Sequence, residues 1–121
     1  MEATRYLVLK DHASEYPDPI TFAKGAALAV GKKYEGPEDW DNWWLCETPG
    51  QKAGWVPAQI IEISSNNRAR AREAYTAKEL NVKEGDFVHG TRALNGWVWC
   101  TRIDGLESGW VPLANLQVAH E

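Results

Sequence analysis

The residues able to do chemistry are few. His12 follows Asp11, an order in which a carboxylate could orient an imidazole for acid–base work. No nucleophile or glycine-rich phosphate loop accompanies them, so catalysis is not expected. The histidines are His12, His89 and His120, with no His-x-His, HxxxH or CxxC spacing, so neither a metal centre nor a cofactor is expected. Cys46 and Cys100 read as core thiols rather than a redox pair. Arg68, Arg70 and Arg72 alternate with Ala69 and Ala71, which on a strand puts three guanidinium groups on one face. Such a face can take a carboxylate or phosphate, can keep a sheet edge from pairing, or can dock on an acidic segment of the same chain. The last reading is slightly preferred. The acidic segment is Tyr34–Asn42, where Trp40 sits among Glu35, Glu38, Asp39 and Asp41. A tryptophan among carboxylates could grip a cation, although a loop tryptophan folded onto its own domain is the favoured reading.

Those side chains must be carried by a small soluble scaffold. The chain has 121 residues, 25% charged and 44% hydrophobic, with a formal net charge of −4. No apolar run has the length of a membrane span, and the N-terminus lacks the order of a secretory signal, which together suggest a cytoplasmic protein. The acidic balance argues against nucleic acid. Seven tryptophans favour a small aromatic-rich β fold.

The chain repeats itself. Gly54-Trp55-Val56-Pro57 recurs as Gly109-Trp110-Val111-Pro112, 55 positions on. Trp43-Trp44-Leu45-Cys46 recurs as Trp97-Val98-Trp99-Cys100, 54 positions on, and Ala23-Lys24-Gly25 as Lys83-Glu84-Gly85, 60 positions on. Ordered anchors at nearly constant offset mark a duplicated unit. The polar tetrapeptide Ser64-Ser65-Asn66-Asn67 reads as a short linker, dividing the chain into domains 1–64 and 65–121. Units this small are marginal alone, so close packing of the two is expected.

Within each half, short apolar runs are broken by Gly, Pro, Asn and Asp. Strands are expected over residues 4–10, 28–30, 43–47, 54–57 and 60–63, then over 68–72, 86–90, 96–102, 108–111 and 116–119. The segment RARAREAYTAKEL has helical propensity, but its start aligns with the first strand of the first half and is read as strand.

This pattern resembles a tandem pair of Src homology 3 (SH3) domains, of a variant, bacterial type. Glu79-Leu80-Asn81-Val82-Lys83-Glu84-Gly85-Asp86 is similar to the family's ELSFKKGD segment, Trp43-Trp44-Leu45-Cys46 to its WW motif, and both GWVP segments to its GWVP. The resemblance implies an all-β fold: two small SH3-like β-barrels in tandem, closely packed through a short linker. It also implies a groove in each half that docks polyproline-II peptides. Trp43 and Pro57 would belong to the first groove, Trp97 and Pro112 to the second. Glu15 and Asp18, in the long loop of the first half, would pair with a basic residue of the ligand. The six groove tyrosines of the family are replaced by Lys10, His12 and Ile60 in the first half and by Arg70, Arg72 and Asn115 in the second. Arg70 and Arg72 would then stand beside Trp97.

The leading functional reading is a non-catalytic, adaptor-like module that binds a protein or peptide partner through an extended, proline-rich segment. The alternative is a structural or accessory subunit whose two barrels present one surface to a larger assembly. Oligomeric state is not legible in the sequence.

Overall fold

A computed structural model of the chain describes residues 3–14, 18–33 and 43–119. Among these no α-helix forms. The elements are β1 (Thr4–Val8), β2 (Thr21–Phe22), β3 (Ala27–Lys33), β4 (Trp43–Glu47), β5 (Gly54–Pro57), β6 (Ile61–Ser65), β7 (Arg68–Ala71), β8 (Tyr75–Thr76), β9 (Phe87–Leu94), β10 (Trp97–Arg102), β11 (Ser108–Pro112) and β12 (Leu116–Val118). A 3-10 turn precedes β6 (Ala58–Ile60) and another precedes β12 (Leu113–Asn115). The fold is therefore all-β, with sheets like those of small SH3-like barrels. The start of the helix-prone segment after Asn67 is strand, as expected, because alternation of buried Ala69 and Ala71 with exposed arginines overrides its local propensity.

Two five-stranded antiparallel sheets carry the structure, ordered β11-β10-β9-β1-β12 and β5-β4-β3-β7-β6. Each sheet includes one strand from the other side of the sequence boundary at 64/65. β1, the first strand of the first repeat, pairs with β9 and β12 of the second. β7, the first strand of the second repeat, pairs with β3 and β6 of the first. The chain accordingly forms two compact units, a terminal unit of residues 1–17 with 78–121 and a central unit of residues 18–77. Their composition differs from the sequence halves 1–64 and 65–121.

The reason lies in the tetrapeptide that reads as a linker. It is not a spacer: Ser64 and Ser65 end β6, and only Asn66 and Asn67 separate β6 from β7. Both asparagines have positive φ, 34° and 66°, and Ser65 stands opposite Arg68. A two-residue turn with positive φ at both positions is the tight hairpin turn that matches strand twist. It makes β7 fold straight back on β6, so β7 joins the sheet just completed. Asn95-Gly96, with φ of 47° and 85°, makes the same turn between β9 and β10.

The cores reflect these pairings. In the terminal unit Val8 packs with Leu80, Val82, Val88, Val98, Cys100, Val111 and Leu116, and Tyr6 lies against this cluster. Val8 thus supplies a fully buried first-repeat side chain to a second-repeat core, a burial contributing roughly 2 kcal/mol. Gly90 makes room for that strand: a Cβ on it would meet Tyr6 Cε2 at 2.6 Å and Val98 Cγ1 at 2.7 Å. In the central unit Ala69 and Ala71 of β7 are buried, as are Leu28, Val30, Cys46, Val56, Ile60 and Ile61.

Candidate functional site

In the terminal unit, Trp97 opens β10 and Pro112 closes β11, and the two are direct cross-strand neighbours. Both are half-buried, each leaving part of its surface to solvent. His12 completes this surface from the first repeat. Its backbone N–H donates to the Val82 carbonyl at 2.9 Å, and the Val82 N–H donates back to the His12 carbonyl at 2.9 Å. This bridge brings the imidazole edge-on to the Trp97 indole, 5.6 Å between centroids and 75° between planes. His12 Nε2 lies 2.6 Å from Glu79 Oε1, and both side chains are largely buried. Asn115 Nδ2 donates to the Lys10 and Asp11 carbonyls at 3.4 Å, tying the turn before β12 to the same segment.

His12 and Asp11 do not act as a pair. The imidazole is engaged by Glu79, while Asp11 Oδ1 accepts the Glu84 backbone N–H at 2.6 Å. The surface is thus composite: Lys10 and His12 come from one repeat, and Trp97, Pro112, Asn115 and Glu79 from the other. Lys10, His12 and Asn115 occupy the tyrosine positions of the resemblance, but the sequence assigns the first two to the groove of Trp43. Glu79 opens the segment similar to ELSFKKGD, but its contact with His12 is not legible there, because its partner lies 67 positions away in the other sequence half.

The matching pair of the central unit has a different exposure. Trp43 faces Pro57 across β4 and β5, in the same register as Trp97 and Pro112. Yet Trp43 is 6% exposed and Pro57 is fully buried. A ligand side chain has little of this pair to touch. Arg70 and Arg72 lie in this unit, not beside Trp97: β7 pairs with β3 and β6. Arg70 stands between Ala27 and Glu62, whereas Arg72 Nε donates to the Ile61 carbonyl at 3.0 Å and its N–H to the Ile60 carbonyl at 2.7 Å. Asp18 Oδ2 lies 3.3 Å from Lys52 Nζ with both side chains exposed, a surface pair of small energetic weight. Glu15, Trp40 and the acidic segment around Trp40 lie outside the described residues.

The remaining tryptophans cover the sheets. Trp99 and Trp110 are cross-strand partners and meet edge-to-face at 5.3 Å and 72°. Cys46 and Cys100 are fully buried free thiols, each opposite a glycine of its own sheet. Burial pushes the Cys46 thiol up to about 11 and the Cys100 thiol up to about 12. Groups so protonated are poor nucleophiles and poor metal ligands.

The terminal unit thus presents a half-exposed tryptophan beside a proline on a five-stranded antiparallel sheet. Residues 5–64 match the variant SH3 domain family, so the chain carries a variant SH3 domain over that stretch. The match is continuous in sequence but divided in packing, because β1 belongs to the terminal unit and residues 18–64 to the central one. Among similar proteins is SH3 and PX domain-containing protein 2B of Mus musculus, 27% identical over 133 aligned positions that cover 97% of this chain and 14% of that protein. The protein of the same name from Homo sapiens is 26% identical with the same coverage. The chain therefore spans about one-seventh of the length of these relatives. No solved structure matches the chain. No helix among the described residues is long and apolar enough to cross a membrane.

Proposed function

We propose that the chain is a non-catalytic protein-interaction module made of two SH3-like repeats, 1–64 and 65–121, with exchanged first strands, and that it binds an extended segment of a partner protein. The observation that carries this reading is the half-exposed Trp97–Pro112 pair with His12 edge-on to the indole. An indole N–H can donate to a ligand carbonyl while the ring and the proline wall take apolar side chains. The central unit retains the same pair in buried form, so the terminal unit is the working groove. Trp43, Pro57, Arg70, Arg72, Glu15 and Asp18 are secondary to it in this reading.

The experiment is an indole correlation spectrum of the full chain titrated with a pool of proline-rich peptides, some basic and some acidic. A saturable shift of the Trp97 signal with a stationary Trp43 signal supports the reading. No shift at Trp97 overturns it.

A further inference from the structure

The two sheets have matching outer faces, and these are filled differently. In the terminal unit Leu7 stands opposite Phe87, and Arg5, two residues earlier on β1, stands opposite His89. The Arg5 guanidinium carbon lies 4.3 Å above the centre of the Phe87 ring. In the central unit Arg70 stands opposite Ala27, and Arg68 opposite Ala29. Arg68 therefore holds the register of Arg5, Ala27 that of Phe87 and Ala29 that of His89.

Where the terminal unit has a ring under its arginine, the central unit has a hollow. A cavity of about 840 Å³ opens over Ala27 and Ala29, with Arg68 and Arg70 on one wall and Glu47 on the other. Ala27, Ala29, Arg68 and Arg70 are exposed, and among the described residues neither Arg68 nor Arg70 forms a side-chain ion pair or hydrogen bond.

We infer that this hollow is a second docking site, which takes an aromatic side chain of a partner protein flanked by carboxylates. The ring lies on Ala27 and Ala29 beneath the Arg68 guanidinium, as Phe87 lies beneath Arg5, and the carboxylates pair with Arg68 and Arg70. The terminal unit's own Phe87 is the template for the occupant. Two guanidinium groups two residues apart on one strand face set the charge it must carry. Glu47 on the opposite wall disfavours a second anionic flank on that side. The site uses no residue of the Trp97 groove and stands independently of it.

The test follows the Ala27 and Ala29 methyl signals of the full chain during titration with three capped peptides, Ac-Asp-Phe-Asp-NH₂, Ac-Asp-Ala-Asp-NH₂ and Ac-Lys-Phe-Lys-NH₂. The first should produce saturable shifts, and the other two should bind at least tenfold more weakly. Ala27→Phe should abolish the shifts at Ala29 by filling the hollow, in a register where the other sheet already carries phenylalanine. Arg68→Gln with Arg70→Gln should weaken binding at least tenfold with an unchanged amide spectrum elsewhere. Phe87→Ala should create a second binding event beneath Arg5. Equal binding of the alanine or lysine peptide, or full binding to Ala27→Phe, would overturn the assignment.

Discussion

His12 Nε2 and Glu79 Oε1 lie 2.6 Å apart although 67 positions separate them in the chain. Each belongs to a different repeat, and both are shielded from solvent in the same compact unit. The contact holds the imidazole against Trp97, so the orientation of a second-repeat tryptophan depends on a first-repeat side chain.

Trp97→Ala should reduce peptide binding roughly 30-fold, the loss typical of a central aromatic anchor. His12→Ala should reduce it about tenfold by freeing the indole. Trp43→Ala should leave affinity within about twofold while lowering stability, because that ring is buried. Calorimetric titration of the three variants separates these outcomes, and equal losses for Trp43→Ala and Trp97→Ala would contradict a single working groove.

The pairing of β1 with β9 predicts energetic coupling between Tyr6 and Gly90. Gly90→Ala should cost about 2 kcal/mol, since its methyl group would collide with Tyr6 Cε2 and Val98 Cγ1. With Tyr6→Ala in the background the cost should fall by at least about 0.5 kcal/mol. Urea denaturation of the single and double variants measures the cycle. Strict additivity would mean that Tyr6 does not lie against Gly90.

The turn between β6 and β7 should respond to its backbone angles. Asn67, at a φ of 66°, should accept glycine with a gain of roughly 0.5 kcal/mol, because Asn-Gly suits this turn better than Asn-Asn. Asn67→Val should cost about 1–2 kcal/mol, since a branched side chain opposes positive φ. Thermal unfolding midpoints of the two variants should move in opposite directions.

The thiols should be silent to Ellman's reagent at pH 8 until the chain unfolds. The folded protein holds both well above their ordinary value of 9.0, so it keeps the protonated thiols that the unfolded chain begins to lose. The associated stability is complete below pH 9 and is lost as pH rises toward 11 for Cys46 and 12 for Cys100. The slope is about 1.4 kcal/mol per pH unit for each thiol in that window. Urea midpoints of wild type should therefore fall between pH 9 and pH 10.5 more steeply than those of Cys46→Ala.

Much of this was legible in the sequence. The expected strands at 43–47 and 54–57 are β4 and β5 to the residue, and the expected Trp43–Pro57 and Trp97–Pro112 pairs are cross-strand neighbours. Alternation along RARA indicated a strand with its arginines on one face, and Arg68–Ala71 is a strand with both arginines exposed. These features depend on residues close in the chain, where side-chain period and turn chemistry act directly. The two-residue turn was not legible, because Asn66-Asn67 sits among polar residues and has the composition of a linker. Read as a linker, it conceals the return of β7 onto β6.

Local pattern thus determined the strands and the apolar face of each. Partner choice among distant strands did not follow from it. A duplicated sequence offers β3 and β6 two first strands of similar pattern, β1 and β7, and composition barely distinguishes them. Tertiary structure decided between them through the tight Asn66–Asn67 turn, which commits β7 to β6, and through Gly90, whose missing side chain admits Tyr6. The same decision placed His12 beside Trp97 and set Arg68 opposite Ala29, with Ala27 in the register that holds Phe87 in the other sheet. Both candidate sites combine residues from the two sequence halves, His12 with Trp97 in one and Ala29 with Arg68 in the other.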